Sequence, residues 1–158
     1  MKKLEIYLDT SVLNFLFAED APEKRDITLE FFEGIRKGKY KVFISDIVID
    51  EITKAESVKQ KKLMEVIKDY NIEFLEITGE VVELAGKILQ MGVVPKAKTQ
   101  DAFHIAVAVC NNVDVLLSWN FKHLANINKE RLVRALCLME GYSDKIEMRD
   151  PMGVMSDE

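Results

Sequence analysis

Cysteine, proline, glycine and long apolar runs are all scarce in this chain. Two cysteines occur among 158 residues, Cys110 and Cys137. Both lie in apolar helical contexts and lack the close spacing of a zinc site or the density of a disulfide framework. They read as buried thiols of a protein in a reducing cytoplasm. Three prolines and seven glycines leave no room for a collagenous, linker-like or low-complexity segment, and no repeat is visible. No uninterrupted apolar run approaches the ~18 residues that would span a bilayer, so no membrane association is expected. Met1-Lys2-Lys3-Leu4 starts like a secretory leader, but Glu5 and Asp9 interrupt the apolar stretch that such a leader needs. Excess positive charge is also missing. The formal net charge is −5, which excludes binding to nucleic acid through net charge while leaving room for a local basic groove.

What is present is a real core. Apolar residues make up 48% of the chain and charged residues, scattered along it, 31%. Residues 1–150 read as one domain of ordinary size, and residues 151–158 as a loose tail. Strand and helix signals alternate. Strands are expected at Leu4–Leu8, Val42–Ile44, Glu73–Ile77, Val113–Leu117 and Lys145–Met148. Helices are expected at Ser11–Ala18, Glu23–Lys37, Ser45 to about Lys54, Ser57–Tyr70, Glu80–Met91, Thr99 to about Asn111 and Asn128–Gly141. Ser45, Thr78 and Thr99 are candidate N-caps, and Gly38 and Gly92 candidate stops. The alternation predicts a parallel sheet of four to five strands covered by helices on both faces, a three-layer α/β/α sandwich.

Four apolar segments run into polar residues that such a sheet would bring together. Leu4–Leu8 meets Asp9-Thr10-Ser11. Val42–Ile44 meets Ser45-Asp46 and a helix carrying Glu51 on the side of Ile47, Val48 and Ile52. Asp101 opens the most apolar helix, Ala102 to Val109. Val113–Leu117 ends in Ser118-Trp119-Asn120. The carboxyl ends of parallel strands form the ligand crevice of an open sheet, sharpest where the strand order reverses. Three carboxylates and an amide gathered there repel one another unless a counter-charge intervenes, and hard oxygen ligands suit a divalent cation. Each residue also has a plainer role. Asp9 could cap a helix, Glu51 pair with Lys54, Asp101 complement a helix dipole for about 0.3–1 kcal/mol, and Ser118 or Asn120 shape a turn. His104, three residues past Asp101, could face the same site or serve as a hydrogen-bonded structural residue. His123 is a weaker candidate.

In combination these segments resemble the PIN-domain nuclease family, of the VapC type. The resemblance covers nearly the whole chain. It rests on Leu8-Asp9-Thr10-Ser11-Val12-Leu13, Ile44-Ser45 through Val48 and Glu51-Ile52, Asp101-Ala102-Phe103-His104-Ile105-Ala106, and Leu116-Leu117-Ser118-Trp119-Asn120. It implies hydrolysis of RNA phosphodiester bonds with Mg²⁺ or Mn²⁺. Asp9, Glu51 and Asp101 would be the metal-binding acids, with Thr10, Ser11, Ser118 and His104 in support. It also implies RNA as substrate, and a small antitoxin protein and a second copy of the chain as partners. Asn120 stands where many members carry a fourth acid, which removes one negative charge from the site and admits a second reading: a degenerate domain that binds or assembles without strong nuclease activity. Lys96, Lys98 and Lys122 flank the motifs and could contact phosphates, or could be ordinary solvated lysines. A phosphatase of the haloacid-dehalogenase type also places Asp after its first strand, but it expects a second Asp where this chain has Ser11.

Overall fold

A computed structural model describes residues 2–155. Five strands form one all-parallel sheet: β1 (Leu4–Leu8), β2 (Tyr40–Ser45), β3 (Glu73–Leu75), β4 (Val115–Leu117) and β5 (Glu147–Arg149), in the order β3-β2-β1-β4-β5. The helices are α1 (Thr10–Phe15), α2 (Pro22–Arg36), α3 (Asp46–Thr53), α4 (Ser57–Asp69), α5 (Gly79–Gln90), α6 (Thr99–Cys110), α7 (Ile127–Met139) and α8 (Pro151–Met155). The three-layer α/β/α sandwich expected from the alternation is the observed architecture.

The period-two alternation of the strands builds one core on each face. Ile6 and Leu8, Val42 and Ile44, and Val115 and Leu117 pack against α1–α4 and α8. Tyr7, Phe43, Leu116 and Met148 pack against α5–α7. Because β1 is central, both its faces are covered, and Ile6, Tyr7 and Leu8 are all fully buried. Helix α6 is apolar nearly all round: Ala102 and Ile105 to Val109 are buried without interruption. Among the described residues no helix is long and apolar enough to cross a membrane.

The differences from expectation concern element ends. Strands β3 and β4 are three residues each rather than five. At β4 the amide of Asp114 still bonds Glu5 O, but its carboxylate accepts the Glu5 amide at 2.8 Å and Lys145 at 3.0 Å, which turns the ladder into a side-chain clamp. Ser45 and Thr78 cap α3 and α5 as expected. Thr99 does not cap α6. It is the first helical residue, Lys98 holds the cap position, and the Thr99 hydroxyl turns back to Lys96 O. Gly38 and Gly92 end their helices with φ of 81° and 72°, a region that favours glycine. Residues 151–155 are not a loose tail. Pro151 starts α8, the Gly153 amide bonds the Asp150 side chain, and Val154 enters the core beside α2. Residues 156–158 lie outside the described residues.

The strand order explains the location of the site. From β1 the chain steps outward to β2 and β3, then returns to the other side of β1 to lay down β4 and β5. The reversal falls between β1 and β4, and the crevice opens at their carboxyl ends, where Asp9 and Ser118 follow directly.

Candidate functional site

Register positions the first carboxylate. Leu8 pairs with Leu117, and the Asp9 amide bonds Leu117 O at 3.2 Å. Asp9 occupies the cap position of α1 but makes no capping hydrogen bond with its side chain. Instead its carboxylate is cradled by two hydroxyls. Ser11 Oγ donates to Oδ1 and Ser118 Oγ donates to Oδ2, each at 2.6 Å. Both serines in turn accept a backbone amide at 2.9 Å, Ser11 that of Trp119 and Ser118 that of Asn120. The start of α1 and the end of β4 are thus stitched together through Asp9. Asp9 is 5% exposed. Burial pushes its pKa up, against the pull of His104 and the two serines.

The second carboxylate arrives from α3. Glu51 is half-buried, and His104 Nε2 on α6 lies 3.3 Å from its Oε1. Burial raises its pKa, but His104 and then Thr10 outweigh that, leaving Glu51 below the ordinary carboxylate range. Its partner is therefore His104; Lys54 has only a minor influence. The Thr10 hydroxyl is buried near enough to Glu51 to favour its charged form, and it has no other hydrogen-bond partner among the described residues.

Asp101, in the first turn of α6, is partly exposed and lines a cavity of about 280 Å³ with Ala97, Lys98, Thr99, Gln100 and Asn120. Its pKa is raised by partial burial, against the opposing pull of His123, His104 and Lys98. Asp9, Glu51 and Asp101 all lie within the electrostatic reach of His104. Of the three acids, Glu51 is the one within hydrogen-bond distance of that buried histidine, and Asp9 and Asp101 feel it electrostatically. His104 Nδ1 is 2.7 Å from the hydroxyl of Tyr7, which is itself 2.7 Å from Ser45 Oγ.

The acids are gathered at one end of the sheet, but they do not close into a ready-made cage. Among the described residues no group of three or more His, Cys, Asp and Glu side chains is drawn together closely enough to hold a metal ion. Each acid has found a local partner instead, hydroxyls for Asp9 and an imidazole for Glu51. Even so, the donor chemistry suits a hard cation. A carboxylate oxygen has two lone pairs, so one serine on each oxygen of Asp9 leaves each able to ligate. Asp9 also has no Lys or Arg bonded to its carboxylate among the described residues to neutralise it.

Asn120 sits at the rim, on the same cavity as Asp101. Its Oδ1 accepts the amides of Lys122 at 3.1 Å and His123 at 3.0 Å, so the turn-shaping role considered for it is present. Lys96, Lys98 and Lys122 are exposed. Of these, Lys98 lines the Asp101 cavity. His123 is buried, with Nδ1 unpartnered among the described residues, and burial lowers its pKa against the pull of Asp101.

Tyr7 and Ser45 were missed as site residues by sequence reasoning. A tyrosine within Leu-Glu-Ile-Tyr-Leu reads as strand packing; the signal was its place on the strand face opposite Ile6 and Leu8, which is the face that α6 covers.

These features define an α/β protein with a hydroxyl-cradled acid at its topological switch point and two further acids, one of them bonded to a buried histidine. The chain belongs to the PIN domain family, a family of nucleases, whose pattern it matches over residues 6–129, a span that takes in all four motifs. The fold is similar to that of a chain in the crystal structure of VapBC2 from Rickettsia felis bound to a DNA fragment from their promoter. That match has 15% identity and a TM-score of 0.55, and covers 81% of this chain and 92% of that one. No curated protein matches the sequence.

Proposed function

We propose that this protein is a metal-dependent endoribonuclease and the toxin of a toxin–antitoxin pair. The observation that carries the reading is membership of the PIN domain family over a span that includes Asp9, Glu51, Asp101 and Asn120. Asp9 and Asp101 would hold Mg²⁺ or Mn²⁺ through hard oxygen ligands, with Glu51 as a third ligand or as the base that orients the attacking water. When bound, the ion lowers the pKa of water and offsets charge on the pentacoordinate phosphate. Ser11 and Ser118 fix the Asp9 carboxylate so that it presents its remaining lone pairs outward. Thr10 and His104 support Glu51. Asn120 holds the rim turn, and Lys98, Lys96 and Lys122 supply cationic contacts for phosphates, local enough to act within an acidic whole. Likeness in fold to a VapBC2 structure supports the proposal of a small antitoxin partner. Homodimerisation and a cytoplasmic location belong to the same reading.

A second reading, a degenerate domain that binds or assembles, is favoured by two observations. Asn120 spends its carbonyl oxygen on backbone amides, and no three of the described acids and histidines form a closed cage. A single comparison separates the readings. Single-stranded RNA is incubated with the wild-type protein and with Asp9→Asn, each with Mn²⁺ and with a chelator. The nuclease reading expects cleavage only by the wild type with Mn²⁺, and a fall of about 100-fold or more in the variant, the scale on which lost transition-state electrostatics is felt. Equal products from both proteins would reject Asp9 as a metal ligand, and no products from either would favour the binding module.

A further inference from the structure

With a neutral imidazole, the hydrogen bonds around His104 admit one consistent set of directions. An ionised Glu51 carboxylate accepts hydrogen bonds without donating them. His104 Nε2, 3.3 Å away, must therefore carry the proton. In a neutral ring that leaves Nδ1 as a bare acceptor, and its neighbour at 2.7 Å is the Tyr7 hydroxyl, which must donate. With its proton committed to His104, Tyr7 can only accept from Ser45 Oγ at 2.7 Å, and Ser45 accepts from the Ile47 amide at 3.3 Å. The chain runs from the first turn of α3 through β2, β1 and α6 back to α3, where it ends on Glu51. Tyr7 and His104 are almost wholly buried, so water does not compete for these bonds.

We propose that Tyr7 is a positioning residue of the site: its phenol fixes the neutral His104 ring with the proton on Nε2, and that proton aims the Glu51 carboxylate. The alternative tautomer would place a bare nitrogen lone pair against a carboxylate, and Glu51 would turn away. A phenylalanine would fill the core space of Tyr7 equally well, so packing alone does not call for the hydroxyl. The inference rests on the nuclease reading only where turnover is concerned.

The test reads the tautomer directly. The full chain is labelled with ¹⁵N, and long-range proton–nitrogen correlations of the imidazoles are recorded well above the ordinary histidine pKa of about 6.5. The chain has two histidines, and His123→Gln assigns the spectrum. The expected wild-type pattern is a single Nε2-protonated tautomer for His104, and Tyr7→Phe should lose it in favour of a mixture. A wild-type Nδ1-protonated ring, or a Tyr7→Phe spectrum like the wild type, would overturn the proposal. Should Tyr7→Phe not fold, Ser45→Ala removes the donor to Tyr7 while keeping every ring, and should weaken the same signature. For turnover, His104→Gln places an amide donor where Nε2 lies, while His104→Asn cannot reach Glu51. Supporting partners of this kind are worth about 10–100-fold in metal affinity or activity, so the Asn variant should lose about that much and the Gln variant clearly less. Equal losses would count against the aiming role. A wild-type protein that cleaves no RNA would instead reject the proposed function, while the tautomer spectrum would still decide the role of Tyr7.

Discussion

Two carboxylates in this protein are buried to nearly the same depth, Asp9 at 5% and Glu130 at 6% exposure, yet their surroundings differ in kind. Glu130 projects from α7 toward β5, where it accepts the Met148 amide at 2.7 Å and pairs with the Arg149 guanidinium, with Arg134 a further 4.0 Å neighbour. Its charge is matched on the spot. Asp9 receives two serine hydroxyls and has no Lys or Arg bonded to its carboxylate among the described residues. A buried charge is costly unless paired. The pairing of Glu130 makes it a bracket that fastens the last helix and strand. The lack of a matching cation at Asp9, on the crevice side of the sheet, suits a site that neutralises its charge with something bound.

The largest effect should come from breaking the bracket. Glu130→Ala strands Arg149 and the Met148 amide, and should destabilise the fold by about 3 kcal/mol, the lower end for a buried pair because Arg149 keeps some exposure. For a chain of this size that is a fall in Tm of roughly 6–12 °C, unchanged by Mn²⁺. Asp9→Asn should do the reverse. It removes an unmatched charge, and a serine that donated can turn to accept from the new amide, so stability in chelator should rise by about 1 kcal/mol. The rise in Tm that Mn²⁺ gives the wild type through binding to the folded state should vanish. If Asp9→Asn is destabilising by as much as Glu130→Ala, the two acids are alike and the contrast fails.

Acidity sharpens the same contrast. Burial raises the folded pKa of Asp9 above its unfolded value of about 3.9. The folded state then holds the proton more tightly than the unfolded chain. This contribution to stability is present in full below the unfolded pKa and is lost as pH rises through the folded pKa. The stability difference between Asp9→Asn and wild type in chelator should therefore be largest at neutral pH, shrink on acidification through the folded pKa, and be gone near pH 4. Glu51, shifted the other way, is common to both proteins and drops out of the difference. A flat difference from neutral pH to about 4, followed by urea unfolding, would show that Asp9 carries no burial penalty.

Much of this was legible in the sequence because it depends on local pattern. Asp9, Glu51, Asp101 and Asn120 each follow or open an apolar segment, and parallel connectivity makes the carboxyl ends share one side. What was not legible depends on strand order and on partners distant in sequence. Tyr7 meets Ser45 and His104 only because β1 lies between β2 and β4 with α6 across one face. Glu130 carried a signal that went unread, since it shares a helical face with Val133 and Cys137, the face that is buried. The tail was misjudged for a similar reason: Met152 is exposed while Pro151 and Val154 are buried, a pattern too short to stand out until α2 supplies the surface that Val154 covers.

The smallest effect, and the finest test of the crevice, is Asn120→Asp. The Asn120 side-chain oxygen already accepts the Lys122 and His123 amides. A carboxylate keeps both bonds and strengthens them, since charge-assisted hydrogen bonds are the stronger kind. Against that stands repulsion from Asp101, which shares the cavity, partly screened because both residues are partly exposed. The two effects oppose each other, so stability in chelator should stay within about 0.5 kcal/mol of the wild type. Saturating Mn²⁺ should then separate the proteins. If the rim of the Asp101 cavity belongs to the ion's surroundings, the added charge tightens binding, and the Mn²⁺-induced rise in Tm should exceed that of the wild type by about 2–4 °C for each kcal/mol gained. RNA cleavage should rise with it. If the rise in Tm is the same in both proteins, Asn120 serves its turn alone, and the site consists of Asp9, Glu51 and Asp101.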